Sequence, residues 1–178
     1  MGEAVEVREA DIGDVDAAVE IWTRSHVARR NGRALPEAHI ATAHRRMATP
    51  GVLLLLARDE TAVPEQTDAT GEAGVIGTIL GVQGLADDGS GPPVPGLLHI
   101  SLLSVAPERW GQHVGRLLVE ETLVRATALG FGQAQLWTHA DNLRANRLYK
   151  VMGFRRSGRV RVDEWGELLV HYRRPIAA

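Results

Sequence analysis

A mixed α/β domain around one sheet is the fold class this sequence predicts, on three observations. Strand-like runs at 97–105 and 133–138 alternate with helical stretches that close at Gly130 and Gly153. The chain ends read differently, with strand-like alternation at 5–8 and a hairpin at 159–173. A length of 178 residues, 44 % hydrophobic and 24 % charged, suits one core that needs no staples. The expectation is therefore a single domain over residues 1–178.

Each element has its own signal. Val5-Glu-Val-Arg alternates as a first strand should, and Asp11 or Asp14 can cap the helix after it, where Ala18, Ile21 and Trp22 fall at helical spacing. Pro36 opens a second helix to about residue 47. Residues 52–58 form a short apolar run followed by polar residues, the pattern of a strand. The polar loop TAVPEQTDATGEAG (61–74) joins it to a further strand at 75–85. A Gly- and Pro-rich loop, DDGSGPPVPG (87–96), precedes the strand at 97–105. Neither loop marks a domain boundary, and no internal repeat is present. Gly130 is a left-handed C-cap for the next helix. Asn142 then caps a helix whose Ala145, Leu148, Tyr149 and Met152 form an i, i+3, i+4, i+7 stripe closed by Gly153. The tail hairpin turns near 163–166.

Composition narrows the function classes. A net charge of -2 argues against a broad nucleic-acid surface, which needs clustered positive charge. The longest apolar run, 52–57, is far short of a membrane span, and MGEAVEVREAD lacks the shape of a signal peptide. Without cysteine there is no disulfide, thiolate metal site or cysteine nucleophile, so a cytoplasmic protein is the default expectation. Among the 20 basic residues only Lys150 is lysine, an arginine bias that reads as coding composition.

The stretch SVAPERWGQHVGRLLVEETL (104–123) reads as a strand end, a tight turn holding Gly111 and Gly115, and a helix. The first turn of a helix offers backbone N–H groups without partners, and its dipole favours an anion there. Arg116 can add a charge-assisted bond. The spacing is neither a Walker loop nor a Rossmann fingerprint, and two glycines alone also fit an ordinary strand-to-helix connection.

A second element lies roughly thirty residues downstream: Asn142-Leu-Arg-Ala145-Asn-Arg-Leu-Tyr149, closing in Gly153-Phe154. Together the two stretches resemble the GNAT superfamily of acyl-CoA-dependent N-acyltransferases. That family reads V-x-P-x-x-[RQ]-G-x-G-x-[GA] through its pyrophosphate turn and N-x-x-A-x-x-L-Y-x-x-x-G-F in the next βα unit. Val105, Pro107, Gly111 and Gly115 match the first motif; Asn142, Ala145, Leu148, Tyr149, Gly153 and Phe154 match the second completely. The opening VEVREADIGDVDAAVEIW also looks like the family's first strand and helix, so the resemblance covers nearly the whole chain. Two positions depart: Trp110 replaces a basic or amide residue, and His113 replaces the first pyrophosphate glycine. The His113 side chain either turns away, contacts the pyrophosphate, or narrows its room.

The resemblance implies a GNAT-like fold, a twisted mixed sheet flanked by helices, that uses acetyl-CoA to acetylate an amine. It assigns cofactor binding to Leu103 and Val105, to the turn Trp110, Gly111, Gln112, His113, Val114, Gly115 and Arg116, and to Asn142, Ala145 and Tyr149. In the family the amine attacks the thioester directly, which agrees with the lack of cysteine. The Val105 N–H is then the oxyanion donor. A CoA thiol should titrate near about 8.5 and a tyrosine near about 10, so Tyr149 stays protonated at neutral pH and can serve as general acid. Its other reading is a core aromatic of the helix stripe. In histone-acetylating members a carboxylate sits eleven positions before the residue that opens the turn, which lands here on His99. Histidine accepts a proton near pH 7; ordered water as the base and a structural histidine are the alternatives. Arg144, Arg147 and Lys150 share a helix arc that suits the 3′-phosphate of CoA or simply faces solvent.

No H-E-x-x-H or similar spacing joins His26, His39, His44, His139 and His171, and no metal site is expected. In this fold the acceptor meets the loop between the first two helices, here 27–38, and the tail hairpin. Those segments carry Arg29, Arg30, Arg33, Glu37, Asp163 and Glu164, which fit a substrate of either sign. Trp22, Trp110 and Trp165 suit a cleft or plain packing. The acceptor is expected to be a small primary amine, with a protein N-terminus or lysine as the alternative. Trp110 and His113 also leave room for a non-catalytic CoA-binding module. Family members are often homodimers, and these residues do not decide the point.

Overall fold

A computed structural model describes residues 5–61 and 74–176. Most of the loop 61–74 lies outside the described residues. The elements run β1 (Val5–Glu9), α1 (Val15–Arg29), α2 (Glu37–Met47), β2 (Leu53–Asp59), β3 (Val75–Leu85), β4 (Pro93–Val105), α3 (Val114–Ala128), β5 (Gln133–His139), α4 (Leu143–Val151), β6 (Arg155–Val162) and β7 (Leu168–Pro175). The strands form one mixed sheet in the order β1-β2-β3-β4-β5-β7-β6. β4 and β5 pair in parallel from Leu97↔Gln133 to Ile100↔Leu136, with α3 as their crossover. β5 pairs antiparallel with β7 over its full length. Among the described residues no helix is long and apolar enough to cross a membrane.

Two compact units divide the chain, one of Met1–Leu80 with Leu102–Thr122, the other of Gly81–Ser101 with Leu123–Ala178. In the first unit, β2 carries the continuous apolar run Leu53–Ala57, buried throughout, as a strand covered on both faces requires. Asp11 and Asp14 share the start of α1 differently from a simple cap. Asp11 caps a short 3₁₀ turn through the Gly13 N–H (2.8 Å), and Asp14 makes no side-chain cap for α1. The Asp14 carboxylate instead accepts two bonds from Arg8 (2.7 Å each) and one from the Asp11 N–H (2.8 Å). Gly77 lets α3 lie close to β3. A Cβ there would come within 2.9 Å of Leu118 Cδ1 and 3.1 Å of Val114 Cγ1.

The second unit holds β5, α4 and the tail hairpin. Tyr172, fully buried on β7, donates to Asn146 Oδ1 at 2.7 Å, and Asn146 Nδ2 donates to the carbonyls of His139 (3.0 Å) and Asn142 (2.8 Å). These bonds pin the first turn of α4 to the end of β5 and to β7. On β7, His171 is also fully buried. Its Nδ1 meets Ser157 Oγ at 2.7 Å and its Nε2 meets Gln135 Oε1 at 3.1 Å. Burial, then the positive field of Arg159, Arg173 and Arg161, lowers its pKa to about 4.

Two strands open four residues earlier than expected: β6 begins at Arg155 rather than at residue 159, and β4 is extended likewise. β4 starts at Pro93 rather than at residue 97, and the preceding loop contracts to 86–92. Pro93 and Pro95 lack an N–H, yet both are exposed at the start of the strand, where that donor is dispensable. Gln83 Nε2 supports this segment by donating to the Val94 carbonyl at 2.6 Å.

Candidate active site

The first unit carries the turn from Val105 to Arg116, the candidate anion site of the sequence. β4 ends at Val105, and the Ala106 N–H bonds the Ile76 carbonyl at 2.8 Å, which ties the start of the turn to β3. A 3₁₀ turn, Pro107–Arg109, follows, and two ion pairs anchor it. Glu108 accepts a bidentate pair from Arg24 on α1, both bonds 2.9 Å. Arg109 pairs with Asp59, the buried last residue of β2. Bonds from Thr61, side chain first and backbone next, together with Arg109 hold the Asp59 carboxyl below its usual range.

Beyond this anchor the backbone turns twice into the left-handed region. Gly111 has φ 80° and His113 has φ 64°. His113 therefore keeps the backbone conformation that glycine normally supplies, and its side chain is exposed. Its carbonyl accepts the Leu117 N–H at 3.0 Å, which makes it the residue on which α3 begins. The first turn of α3 contains no acidic residue. Gln112, His113, Val114, Arg116, Leu117 and Glu120, with Val5 of β1, line an open cavity of about 540 Å³. Arg116 donates to Glu120 at 2.7 Å, with both side chains roughly half exposed. The dipole of a helix start favours a phosphate group, while the Arg116 cation beside it is paired with Glu120.

Trp110, the other departure, has a distinct job. Its indole Nε1 donates to the Val105 carbonyl at 2.9 Å and so braces the last residue of β4. A basic or amide side chain is replaced by another donor.

Within β4, Leu102 adopts φ 54°, which interrupts the regular pleat. Leu102 is half-buried like both its neighbours, so exposure does not alternate through it. His99, Ser101, Leu103 and Val105 are half-buried, whereas Leu98, Ile100 and Ser104 are buried. The shared face of His99, Ser101, Leu103 and Val105 expected from strict alternation rests on a regular pleat, which Leu102 interrupts between Ser101 and Leu103.

In the second unit Asn142 caps α4, accepting the Ala145 N–H at 3.2 Å. Tyr149 is buried between Phe154, edge-on at 5.7 Å, and Tyr172 at 5.9 Å. Burial pushes its hydroxyl pKa above the ordinary tyrosine value. Arg144, Arg147 and Lys150 are exposed on the same helix. So Leu103, Val105 and Trp110–Arg116 belong to one unit, and His99, Asn142, Ala145 and Tyr149 to the other. Of the candidate cleft tryptophans, Trp22 is buried against His26 (4.7 Å between rings), Trp110 is half-buried, and Trp165 is exposed.

Sequence reasoning missed the anchors Arg24, Glu108, Asp59 and Arg109, and also a cluster of His139, Asp163 and Glu167. No local spacing could reveal them, since the partners stand 84, 50 and 24 or more positions apart.

The family model described as "Acetyltransferase (GNAT) family" matches residues 18–154. The chain belongs to this family of acyl-CoA-dependent N-acetyltransferases. A stretch of 69 residues is 35 % identical to the peptidyl-lysine N-acetyltransferase YjaB of Salmonella typhimurium, covering 39 % of this chain and 44 % of that relative. The match thus spans less than half of the curated relative. Among solved structures, yncA of Salmonella typhimurium with its cofactor acetyl-CoA is similar at a TM-score of 0.69 and 19 % identity, over 98 % of this chain and 95 % of that one. The phosphinothricin acetyltransferase of Sinorhizobium meliloti gives 0.69 and 21 %, over 97 % and 89 %. The ribosomal-protein-S18-alanine N-acetyltransferase of Escherichia coli gives 0.67 and 17 %, over 98 % and 95 %. At these identities the likeness carries the fold.

Proposed function

We propose that residues 1–178 act as one domain that transfers an acetyl group from acetyl-CoA to a primary amine. The observation that supports the reading best is the left-handed backbone at His113, the conformation that a glycine would supply at that position of the turn. Acetyl-CoA supplies the acetyl group as a thioester that the amine attacks directly. The backbone from Gly111 to Arg116 holds the pyrophosphate at the start of α3. The Val105 N–H, on the residue braced by Trp110, stabilises negative charge on the thioester oxygen. Tyr149, kept protonated by its burial, gives its proton to the departing sulfur, whose thiolate has a pKa near about 8.5. His99 accepts the proton of the amine.

Thermal unfolding with and without acetyl-CoA tests the first step. Ligand at a hundredfold excess over its dissociation constant should stabilise the protein by about 2.7 kcal/mol, a rise of about 5–11 °C. No shift at millimolar ligand would remove the cofactor and the reading with it. Free-thiol release across an amine panel tests the chemistry. Tyr149→Phe should bind acetyl-CoA normally yet turn over about 10²-fold more slowly or worse; unchanged turnover rejects the acid role. In His99→Ala the acidic limb of the rate profile should flatten, and an unaltered profile discards His99 as base.

The acceptor is a small amine in this reading. Similarity to a peptidyl-lysine N-acetyltransferase favours a polypeptide amine as the second reading, as does the fully exposed edge strand β6 with Arg155, Arg159 and Arg161. Peptides and small amines in one panel separate the two. Binding without thiol release on any acceptor would instead indicate a CoA-binding module.

A further inference from the structure

His139 at the end of β5, Asp163 after β6 and Glu167 before β7 converge within the second unit. His139 Nε2 lies 3.1 Å from Asp163 Oδ2 and 2.9 Å from Glu167 Oε2, and the three atoms lie within 4.8 Å of one another. Asp163 is aimed by its own turn. Its Oδ1 accepts the N–H groups of Trp165 and Glu167, both at 2.9 Å, which leaves Oδ2 directed at the imidazole. The side chains are 17 %, 19 % and 32 % exposed, so the cluster is partly desolvated.

One ring nitrogen here faces two carboxylate oxygens, and Nε2 carries at most a single proton to share between them. A divalent ion between the three atoms would bond all of them at once. Zinc bonds nitrogen and oxygen at about 2.0–2.2 Å, so neighbouring ligands in a tetrahedron stand about 3.3–3.6 Å apart. The two separations from His139 Nε2, 3.1 and 2.9 Å, are a few tenths of an ångström shorter, and small outward shifts of the side chains would admit the ion. Two carboxylates also balance a charge of two. An imidazole at the centre and partial burial distinguish the cluster from a solvated acidic surface.

We propose that His139, Asp163 and Glu167 bind one divalent transition-metal ion, zinc by the nature of the ligands, with a fourth position open to solvent. The ion clamps the hairpin turn to the end of β5. The carbonyl of the same His139 already holds α4 through Asn146. The proposal stands apart from acetyl transfer, since a clamp needs no cofactor and no acceptor.

Calorimetric titration of the purified, chelator-washed protein with zinc chloride tests it, with cobalt(II) absorption as a readout of coordination geometry. The expected result is one equivalent bound at micromolar or lower dissociation constant, a rise in melting temperature, and tetrahedral cobalt bands. Glu167→Gln keeps the shape of the side chain, and it should lose at least tenfold in affinity, as should His139→Ala. No binding below about 100 μM zinc overturns the site. Undiminished binding in both variants places the metal elsewhere and overturns it too. A fall in metal-free stability of Glu167→Gln, with zinc adding nothing to the parent protein, would identify a protonated histidine held between two carboxylates instead.

Discussion

His113 is the single residue on which the cofactor reading turns. A left-handed φ on a residue with a Cβ costs about 1–2 kcal/mol, and the turn accepts that cost at 64°. His113→Gly should therefore stabilise the protein by about 1 kcal/mol in urea unfolding and leave acetyl-CoA affinity within about twofold. A clear loss of affinity would mean that the imidazole itself contacts the pyrophosphate. His171 sets a second residue-scale expectation, this one in pH. Its pKa falls from an ordinary 6.5 to about 4 on folding, chiefly through burial. Above pH 6.5 both folded and unfolded forms are neutral, so the stability it allows is fully present there. As pH drops from 6.5 towards 4 the unfolded chain gains a proton that the folded protein refuses, and about 3 kcal/mol is lost. His171→Gln should lessen the difference in unfolding free energy between pH 7 and pH 4 by roughly that amount. An identical drop in the variant would reject it.

At the scale of elements, the 3₁₀ turn Pro107–Arg109 is held by two ion pairs of unequal worth. Arg24 and Glu108 are 39 % and 58 % exposed, so solvent screens them and Arg24→Ala should cost less than about 1 kcal/mol. Asp59 and Arg109 are 2 % and 18 % exposed, and Arg109→Ala leaves a buried carboxylate without its cation. Chemical denaturation should show a loss of about 2–4 kcal/mol there, moderated by the bonds from Thr61. Equal effects from the two variants would contradict this account. The helices and most strands were legible locally because caps and periodicity act over a few residues. Asn142 with Gly153, and the stripe from Ala145 to Met152, bound α4 as read. Pro93 and Pro95 hid the start of β4, since only its exposure shows that the missing N–H groups do no harm.

For the whole molecule, the strand order β1-β2-β3-β4-β5-β7-β6 places β7 between β5 and β6, so that the last strand in the chain is not the last in the sheet. The alternation of strands and helices pointed to the mixed class but not to that order, because pairing depends on contacts far apart in the chain. Family membership was legible for the opposite reason. A glycine-bearing turn and a capped helix are each short, and their chemistry lies in backbone groups that neighbouring residues shape. The sequence by itself thus determined the class of fold and the family. Only the tertiary structure decided that His113 takes up the conformation of a glycine, that Trp110 braces Val105, and that Arg109 finds Asp59 fifty positions away. It also decided that His139 meets Asp163 and Glu167. Local backbone preference propagates over a turn or two, whereas a side-chain meeting between distant segments exists only once the sheet has paired its strands.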